Sequence, residues 1–498
     1  MICSLSSRIL ATLTAVGALL AVAPSHAQVK KDSLVLAMTL EPSPGLDPTG
    51  GAASAIAEVS LYNIFETLTK INSDSRTTPL LAESWKVSDD LKTWTFKLKS
   101  GVSFSNGEPF NAAAVKYSFE RAVAKDSVNK DKATFANIER IDTPDPATVV
   151  LQLKNGNPDL LFQLGQATAV IVEPKSAATN ATQPVGTGPY RLENWARGSS
   201  VTLVRRDDGR NAKDVKLRRV TIRFIADPAA QVAALLSGDV DAFPRVSAAR
   251  SLKQFEGNKK FQVLISAGRA KTILAINNKR KPLDNVLVRR AIYAAIDRKA
   301  VIEGAADGFG VPIGSFYTPG APGYVDLTGV NEFNQAKARA LLHQAGITPP
   351  LELTMKLPPV SYARQGGEVI AAQLAKVGIV AKIENVEWAQ WLSGAFKGNY
   401  DLTIISHVEP LDFDRYADPN YYWGYDSKAF RDLLAKYNAT TEPKARLKVV
   451  GEIQRKLAED QVNAWLFQLP QFAVARKPLK GLWSSSPIFA NDLAALSW

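Results

Sequence analysis

The strongest constraint on the fold is a change of hydrophobic period that recurs along the chain. Residues 368–386, EVIAAQLAKVGIVAKIENV, carry apolar side chains at helical spacing up to Gly378 and then continue as a strand. Residues 93–99 (TWTFKLK) and 147–154 (ATVVLQLK) alternate apolar and polar side chains, which is the period of a half-buried strand. A helix that ends at a glycine and returns as a strand is typical of α/β units. The pattern therefore predicts an α/β fold.

Two further segments predict helices among these strands. Residues 334–346 (NQAKARALLHQAG) begin at Asn334, a good N-cap, and stop at Gly346. Residues 282–302 carry one apolar stripe and offer Asp284 as their N-cap. Strands and helices thus interleave over 498 residues, a length that suggests roughly two to four domains.

The first residues predict a secretory signal peptide, 1–27. Arg8 precedes an apolar run, 9–24, that is too short and too rich in alanine to span a bilayer. Ser25 and Ala27 are the small residues expected before a cleavage site, so we expect cleavage after Ala27. No later segment is apolar enough to span a membrane. These features predict an exported protein of the periplasm that is not membrane-inserted.

Several functional classes are disfavoured by composition and motifs. Cys3 is the single cysteine and lies inside the signal peptide, so the mature chain has no thiol for catalysis or for a disulfide. The net charge of +12 is spread in alternating sign, without a long basic run, and this argues against a nucleic-acid partner. Neither G-x-S-x-G nor H-E-x-x-H occurs. An exported hydrolase remains an alternative only because the paired carboxylates of glycoside hydrolases have no fixed spacing in the sequence.

Residues 81–122, LAESWKVSDDLKTWTFKLKSGVSFSNGEPFNAAAVKYSFERA, carry a specific family signature. The run resembles that of family 5 bacterial extracellular solute-binding proteins, the dipeptide, oligopeptide and nickel receptors of ATP-binding cassette (ABC) importers. Asn106 and Ala114 stand where that family usually has aspartate. Both departures concern a turn or the start of a helix, so they leave the resemblance intact.

Three later stretches resemble the same family in the same order. They are GLDPTG (45–50), PVGTGPYRLENW (184–195) and AINNKRKPLDNVLVRRAIYAAIDRKAVIEG (275–304). The resemblance implies a periplasmic-binding-protein type II-like fold, in which two lobes joined by a hinge enclose a ligand and an extra domain is inserted. The implied division is lobe one at 28–71, 186–270 and 472–498, the inserted domain at 72–185, and lobe two at 271–471.

The family also implies a function and a place for the ligand. The protein is expected to be a monomeric receptor, not an enzyme, that captures a short peptide and delivers it to an inner-membrane ABC permease. In peptide-binding members an acid in the loop after a lobe-two strand pairs with the ligand ammonium. Here that strand is 400–406, YDLTIIS, so Glu409 and Asp412 are the candidates. Further candidate contacts are His407, Trp388, Tyr421, Tyr422, Trp423 and Asn277.

The ligand class stays open at this point. The loop SHVEPLDFD differs from the family's usual loop, so oligosaccharides, opine-like conjugates and nickel or other metal chelates remain alternatives. The mature chain has only His343 and His407, and no cluster has metal-ligand spacing. We therefore expect no catalytic residue, no metal ligand and no cofactor.

Overall fold

The computed structural model describes residues 31–51, 53–247 and 249–498. The predicted signal peptide, 1–27, lies outside the described residues. Within them no helix is both long and apolar enough to cross a membrane. Strands and helices interleave from end to end, which confirms the α/β prediction.

The strands carry the frame of the molecule. In chain order they are β1 Ser33–Met38, β2 Thr69–Ile71, β3 Thr77–Pro79, β4 Ala82–Val87, β5 Thr93–Leu98, β6 Ile138–Asp145, β7 Thr148–Leu153, β8 Tyr190–Ala196, β9 Ser200–Arg205, β10 Arg219–Phe224, β11 Ala242–Phe243, β12 Phe261–Ile276, β13 Val311–Pro312, β14 Leu351–Leu357, β15 Ile379–Asn385, β16 Leu402–His407 and β17 Asn463–Arg476.

The helices connect and cover these strands. They are α1 Ser54–Ser60, α2 Ala112–Val123, α3 Lys132–Ala136, α4 Leu160–Gln163, α5 Pro228–Ser237, α6 Val286–Ala294, α7 Arg298–Ala306, α8 Gln335–Gln344, α9 Ser361–Ala375, α10 Trp388–Ser393, α11 Lys428–Ala439 and α12 Pro443–Glu459.

One long mixed sheet runs through the described chain in the order β15-β14-β16-β12-β17-β11-β1-β10-β9-β8, and β13 also pairs with β17. The two longest strands, β12 and β17, are antiparallel neighbours at its centre. On one side of them β14 is parallel to both β15 and β16. On the other side β1 is parallel to β10 and β11. Within the described sheet, the β12–β17 pair therefore joins the strands β15, β14 and β16 to the strands β11, β1, β10, β9 and β8.

The β12–β17 ladder is interrupted in the middle of both strands. Ala267 pairs with Pro470 and Lys271 with Gln468, so three residues of β12 lie opposite a single residue of β17. Such a bulge re-aims side chains and bends the strand. Pro470 lacks the N–H that a regular ladder would need, which fits the interruption. The interruption falls close to the predicted hinge positions at 270/271 and 471/472, and the lobe boundaries themselves stay a prediction.

The apolar core is divided into several clusters. The largest draws on residues between 273 and 467 and includes Tyr400, Trp423 and Trp465. A second core lies under β1, β9 and β10, and a smaller one packs against β11 and α5. A fourth is built from residues between 68 and 171 around the antiparallel sheet β4-β5-β7-β6.

In the segment GTGPY, Gly186 and Gly188 pass close to the backbone of residues 63–64, which explains why both are glycines. A Cβ on Gly186 would lie 2.0 Å from the Ile64 carbonyl oxygen, and one on Gly188 would lie 2.3 Å from the Asn63 carbonyl oxygen. The N–H of Gly188 donates to Ile64 O at 2.9 Å. Only glycine lets the two backbones approach this closely.

The helical segment 282–302 differs from its prediction. It forms two helices, α6 and α7, rather than one. Asn285, not Asp284, caps α6, because its side chain accepts from Leu287 N. Asp297 caps α7 by accepting from the N–H groups of Lys299 and Ala300. A strong N-cap inside the apolar stripe thus starts a new helix. The predicted limits of α8 are confirmed, with Asn334 as its cap.

Candidate ligand-binding site

A cavity of about 620 Å³ lies where distant parts of the chain meet. Its size is within the range of small-molecule sites. Its wall is drawn from the segments 48–51, 53–61, 130–137, 157–168, 269–270, 408–415 and 486–489, together with Gln471. The lining includes few rings and many charged or amide side chains. The cavity therefore suits a polar solute.

The loop after β16 provides the acidic part of the wall. Glu409 lines the cavity with its side chain 61% exposed, and its carboxylate accepts from Val408 N at 3.2 Å. Asp414 lines the cavity beside it, 3.8 Å from the Arg415 guanidinium. Burial raises the pKa of Asp414, and Arg415 opposes that shift. The loop thus presents two water-accessible carboxylates to the cavity, those of Glu409 and Asp414.

Asp412 also lines the cavity, but its carboxylate is already paired. Lys271 Nζ lies 2.7 Å from Asp412 Oδ1, and the two side chains are 6% and 8% exposed. The same ammonium donates to the carbonyl oxygen of Glu409 at 2.5 Å. The ion pair therefore neutralises Asp412 and fastens the loop to β12.

His407 lies behind the loop and not on the cavity wall. Its Nε2 is 2.8 Å from Tyr422 Oη, and its Nδ1 is 3.4 Å from Asp412 Oδ2. Burial lowers the pKa of His407 below 6.5, and Asp412 and Glu409 oppose this shift. The imidazole is therefore neutral at neutral pH.

His407, Glu409 and Asp412 are also the described residues that could hold a metal ion. One ligand atom from each lies within 4.8 Å of the others. The Lys271 ammonium, however, lies against Asp412 and would repel a divalent cation. The cluster is thus chemically better suited to an ion pair than to a metal.

The remaining predicted contacts lie away from the cavity wall. Tyr422 and Trp423 are buried in the largest core, and Tyr421 packs against it. Asn277 is buried, and its amide donates to the carbonyl oxygens of Gly398 and Tyr400. Trp388 is 41% exposed at the start of α10, where its neighbour Trp391 fills the core. Packing and backbone hydrogen bonds account for the positions of these side chains.

A hydrogen bond between two side chains links two distant segments near the cavity. Tyr437 in α11 donates its hydroxyl hydrogen to Asp159 Oδ1 at 2.7 Å. Asp159 follows Asn157, a cavity-lining residue, and burial raises its pKa. This hydrogen bond joins segment 72–185 to segment 271–471.

Sequence reasoning missed the cations of the wall and Gln471. Lys130, Arg269 and Arg415 all line the cavity, as does Gln471. The only signal for Arg269 was the polar stretch SAGRAKT (266–272) between two strand-like runs. That stretch indicated a boundary and gave no sign of a bulge.

Comparison with known proteins identifies the family. The family model for bacterial extracellular solute-binding proteins, family 5, matches residues 76–430, more than half of the chain. The chain belongs to this family. The predicted family and the periplasmic-binding-protein type II-like fold are thereby confirmed.

Individual relatives agree with this assignment. This solute-binding protein is 29% identical over 495 residues to the probable D,D-dipeptide-binding periplasmic protein DdpA of Escherichia coli K12, covering 92% of each chain. It is 30% identical over 351 residues to the glutathione-binding protein GsiB of Salmonella typhi, covering 69% of this chain and 68% of that one. The structure of AgaA from A. tumefaciens R10, in complex with agropinic acid, matches with a TM-score of 0.77 at 28% identity, covering 93% and 98% of the two chains.

Proposed function

We propose that this solute-binding protein is the periplasmic receptor of an ABC importer and captures a short peptide or peptide-like solute. The observation that carries the proposal is the Glu409 carboxylate on the cavity wall, placed to meet the ligand ammonium. Asp412 is excluded from that role because Lys271 holds it. A charge-assisted hydrogen bond between Glu409 and an ammonium would be stronger than a neutral one.

The relatives support a solute derived from amino acids. DdpA and GsiB are named for a dipeptide and for glutathione, and AgaA was solved with agropinic acid. A polar wall with charges of both signs suits such solutes better than an uncharged sugar. An opine-like conjugate is thus the nearest alternative, and the oligosaccharide and nickel-chelate alternatives are left to the binding screen.

The proposed mechanism is closure about the β12–β17 interruption, with the lobes and the inserted domain divided as predicted. Closure removes water from the ligand, and this strengthens its polar contacts. Contacts made only in the closed state shift the population toward it, so the ligand itself drives closure. The closed receptor then delivers the unaltered solute to the inner-membrane permease. We propose no enzymatic step, a monomer, and export with cleavage after Ala27.

A binding screen tests this function. Purified residues 28–498 are titrated with dialanine, trialanine, D-alanyl-D-alanine, glutathione, a trisaccharide and nickel–histidine, with melting temperature as the readout. A bound solute raises the melting temperature by mass action. The tightest peptide is then measured by calorimetry against Glu409→Gln. The matched control is Glu368→Gln, an exposed glutamate on α9 that does not line the cavity.

We expect Glu409→Gln to weaken binding of the peptide by about tenfold or more, which is ~1.4 kcal/mol. N-acetylation of the peptide should cost a similar factor in the wild type and little further in Glu409→Gln. Glu368→Gln should bind as the wild type does. If no peptide binds while the sugar or the nickel complex does, the peptide proposal is wrong.

A further inference from the structure

An open hollow on the surface is lined by cations from two distant parts of the chain. Lys259 and Lys260 lie just before β12, Arg476 is the last residue of β17, and Lys477 follows it. The other described residue of the lining is Pro478, so none of the described lining residues is an acid. The four cations meet because β12 begins where its antiparallel partner β17 ends. We call this surface the basic hollow.

Hydrogen bonds fix the backbone under the basic hollow. The N–H of Lys477 donates to the carbonyl oxygen of Lys260 at 2.9 Å. The N–H of Lys260 donates to Asn258 Oδ1 at 3.0 Å, and that of Phe261 donates to the Asn258 carbonyl oxygen at 3.1 Å. The lysines therefore extend from fixed positions, while their side chains are exposed to water.

The guanidinium of Arg476 is held by packing on two sides. Its carbon lies 4.9 Å from the centroid of the Phe261 ring, and a Cβ on Gly238 would lie 2.4 Å from its Nη2. Gly238 is the C-cap of α5, so the guanidinium lies beside the negative end of that helix. These contacts hold the positive charge in place without a carboxylate.

None of the four cations is paired with a carboxylate in the part of the chain that the structure describes. Like charges held together repel one another, so a nearby negative charge would stabilise the group. The exposed lysines do not enclose a small anion or take it out of water. Strong binding at the basic hollow therefore requires a surface that carries many negative charges at once.

The kind of cation favours a lipid surface over an acidic protein. Lysine is depleted from protein–protein interfaces, where arginine and aromatic residues are enriched. Three of the four cations of the basic hollow are lysines. The ammonium of lysine is compact and strongly hydrated, and it is attracted to anionic lipid headgroups through its charge. The basic hollow thus suits the headgroup layer of an anionic bilayer.

We propose that the basic hollow docks the protein on an anionic phospholipid surface, where its lysines meet the lipid phosphates. β12 begins at Phe261 and its bulge at Ala267, which is ~20 Å along a strand. Docking therefore leaves the cavity free. This inference goes beyond the proposed function and does not depend on the solute. It would keep a receptor close to the membrane that holds its permease.

The test is co-sedimentation of residues 28–498 with vesicles of phosphatidylcholine, alone or mixed with phosphatidylglycerol. At ~0.15 M salt the protein should bind only the mixed vesicles, and at ~1 M salt, where the Debye length is ~3 Å, binding should be lost. One cation near an anionic leaflet contributes about fivefold to binding. Lys259→Gln/Lys260→Gln/Lys477→Gln should therefore weaken binding about a hundredfold.

The matched control is Lys86→Gln/Lys125→Gln/Lys213→Gln. It removes three exposed lysines that do not line the basic hollow, so both variants have the same net charge. The control should bind the mixed vesicles as the wild type does. Both variants should keep the melting temperature and the solute affinity of the wild type, which separates this inference from the proposed function.

Several results would overturn the proposal. An equal loss in both variants would show that net charge alone is responsible. A wild type that does not bind the mixed vesicles would also refute it. Tighter binding to poly-glutamate than to the vesicles would indicate an acidic protein partner instead. Calorimetric binding of inorganic phosphate that is lost in the variant of the basic hollow would indicate a site for a small anion.

Discussion

The buried ion pair between Lys271 and Asp412 gives the sharpest prediction for stability. Asp412→Asn leaves the Lys271 ammonium, 6% exposed, with only neutral acceptors, the new amide oxygen and the carbonyl oxygen of Glu409. Removing one partner of a buried pair costs about 3–5 kcal/mol, since the other charge stays buried and uncompensated. We therefore expect Asp412→Asn to destabilise the protein by that amount.

The double variant Lys271→Met/Asp412→Leu tests the cause. Replacing both partners with apolar side chains removes the charge and the need to solvate it, so its cost should be close to zero. The coupling free energy between the two positions is then about 3 kcal/mol or more. Glu409→Gln, in the same loop but 61% exposed, should stay within about 0.5 kcal/mol of the wild type.

Urea unfolding of the ligand-free chain measures these differences. Far-ultraviolet circular dichroism and tryptophan fluorescence are followed together, because coincident curves are needed before a single free energy is assigned. The reasoning would be refuted if Asp412→Asn lost less than about 1 kcal/mol, or if the double variant were as unstable as the single one.

Three further predictions follow from single sites. Burial raises the pKa of Asp159, so the ionised carboxylate destabilises the fold. This penalty is absent below pH 3.8 and grows as the pH rises through the raised pKa. In urea titrations Asp159→Asn, whose amide oxygen still accepts from Tyr437, should therefore be more stable than the wild type at pH 7 and equal to it below pH 3.8. Burial lowers the pKa of His407, so an NMR titration of its ring should give a midpoint below 6.5, and a midpoint above that value would contradict the burial. Gly186→Ala should prevent folding or cost several kcal/mol in urea unfolding, because the new Cβ would lie 2.0 Å from Ile64 O.

The sequence predicts those parts of the fold that depend on local period. The alternation at 93–99 and the caps of 334–346 could be read directly, because each element carries its own pattern and stop signal. The break between α6 and α7 was missed although its signal was present. Asp297 is as good an N-cap as Asn285, and the continuous apolar stripe concealed it.

The site was less accessible from sequence because it is assembled from distant segments. The acidic loop could be located since it follows a recognisable strand, and Glu409 does line the cavity. The rings of Tyr422 and Trp423 look the same in a sequence whether they face a ligand or a core, and here they lie in the core. Arg269 was missed because its direction depends on a bulge that no residue pattern announces.

The ion pair also explains how two cations only two positions apart in β12 play different parts. Lys271 is enclosed by Asp412 and by the Glu409 carbonyl oxygen, whereas Arg269 faces the cavity from inside the bulge. Because Lys271 also donates to the carbonyl oxygen of Glu409, the ion pair fastens to β12 the loop that carries Glu409 on the cavity wall. Under the proposed function, Asp412→Asn should therefore weaken binding of the tightest peptide from the screen even at temperatures where the variant is fully folded, and an unchanged affinity in calorimetry would contradict this role of the ion pair.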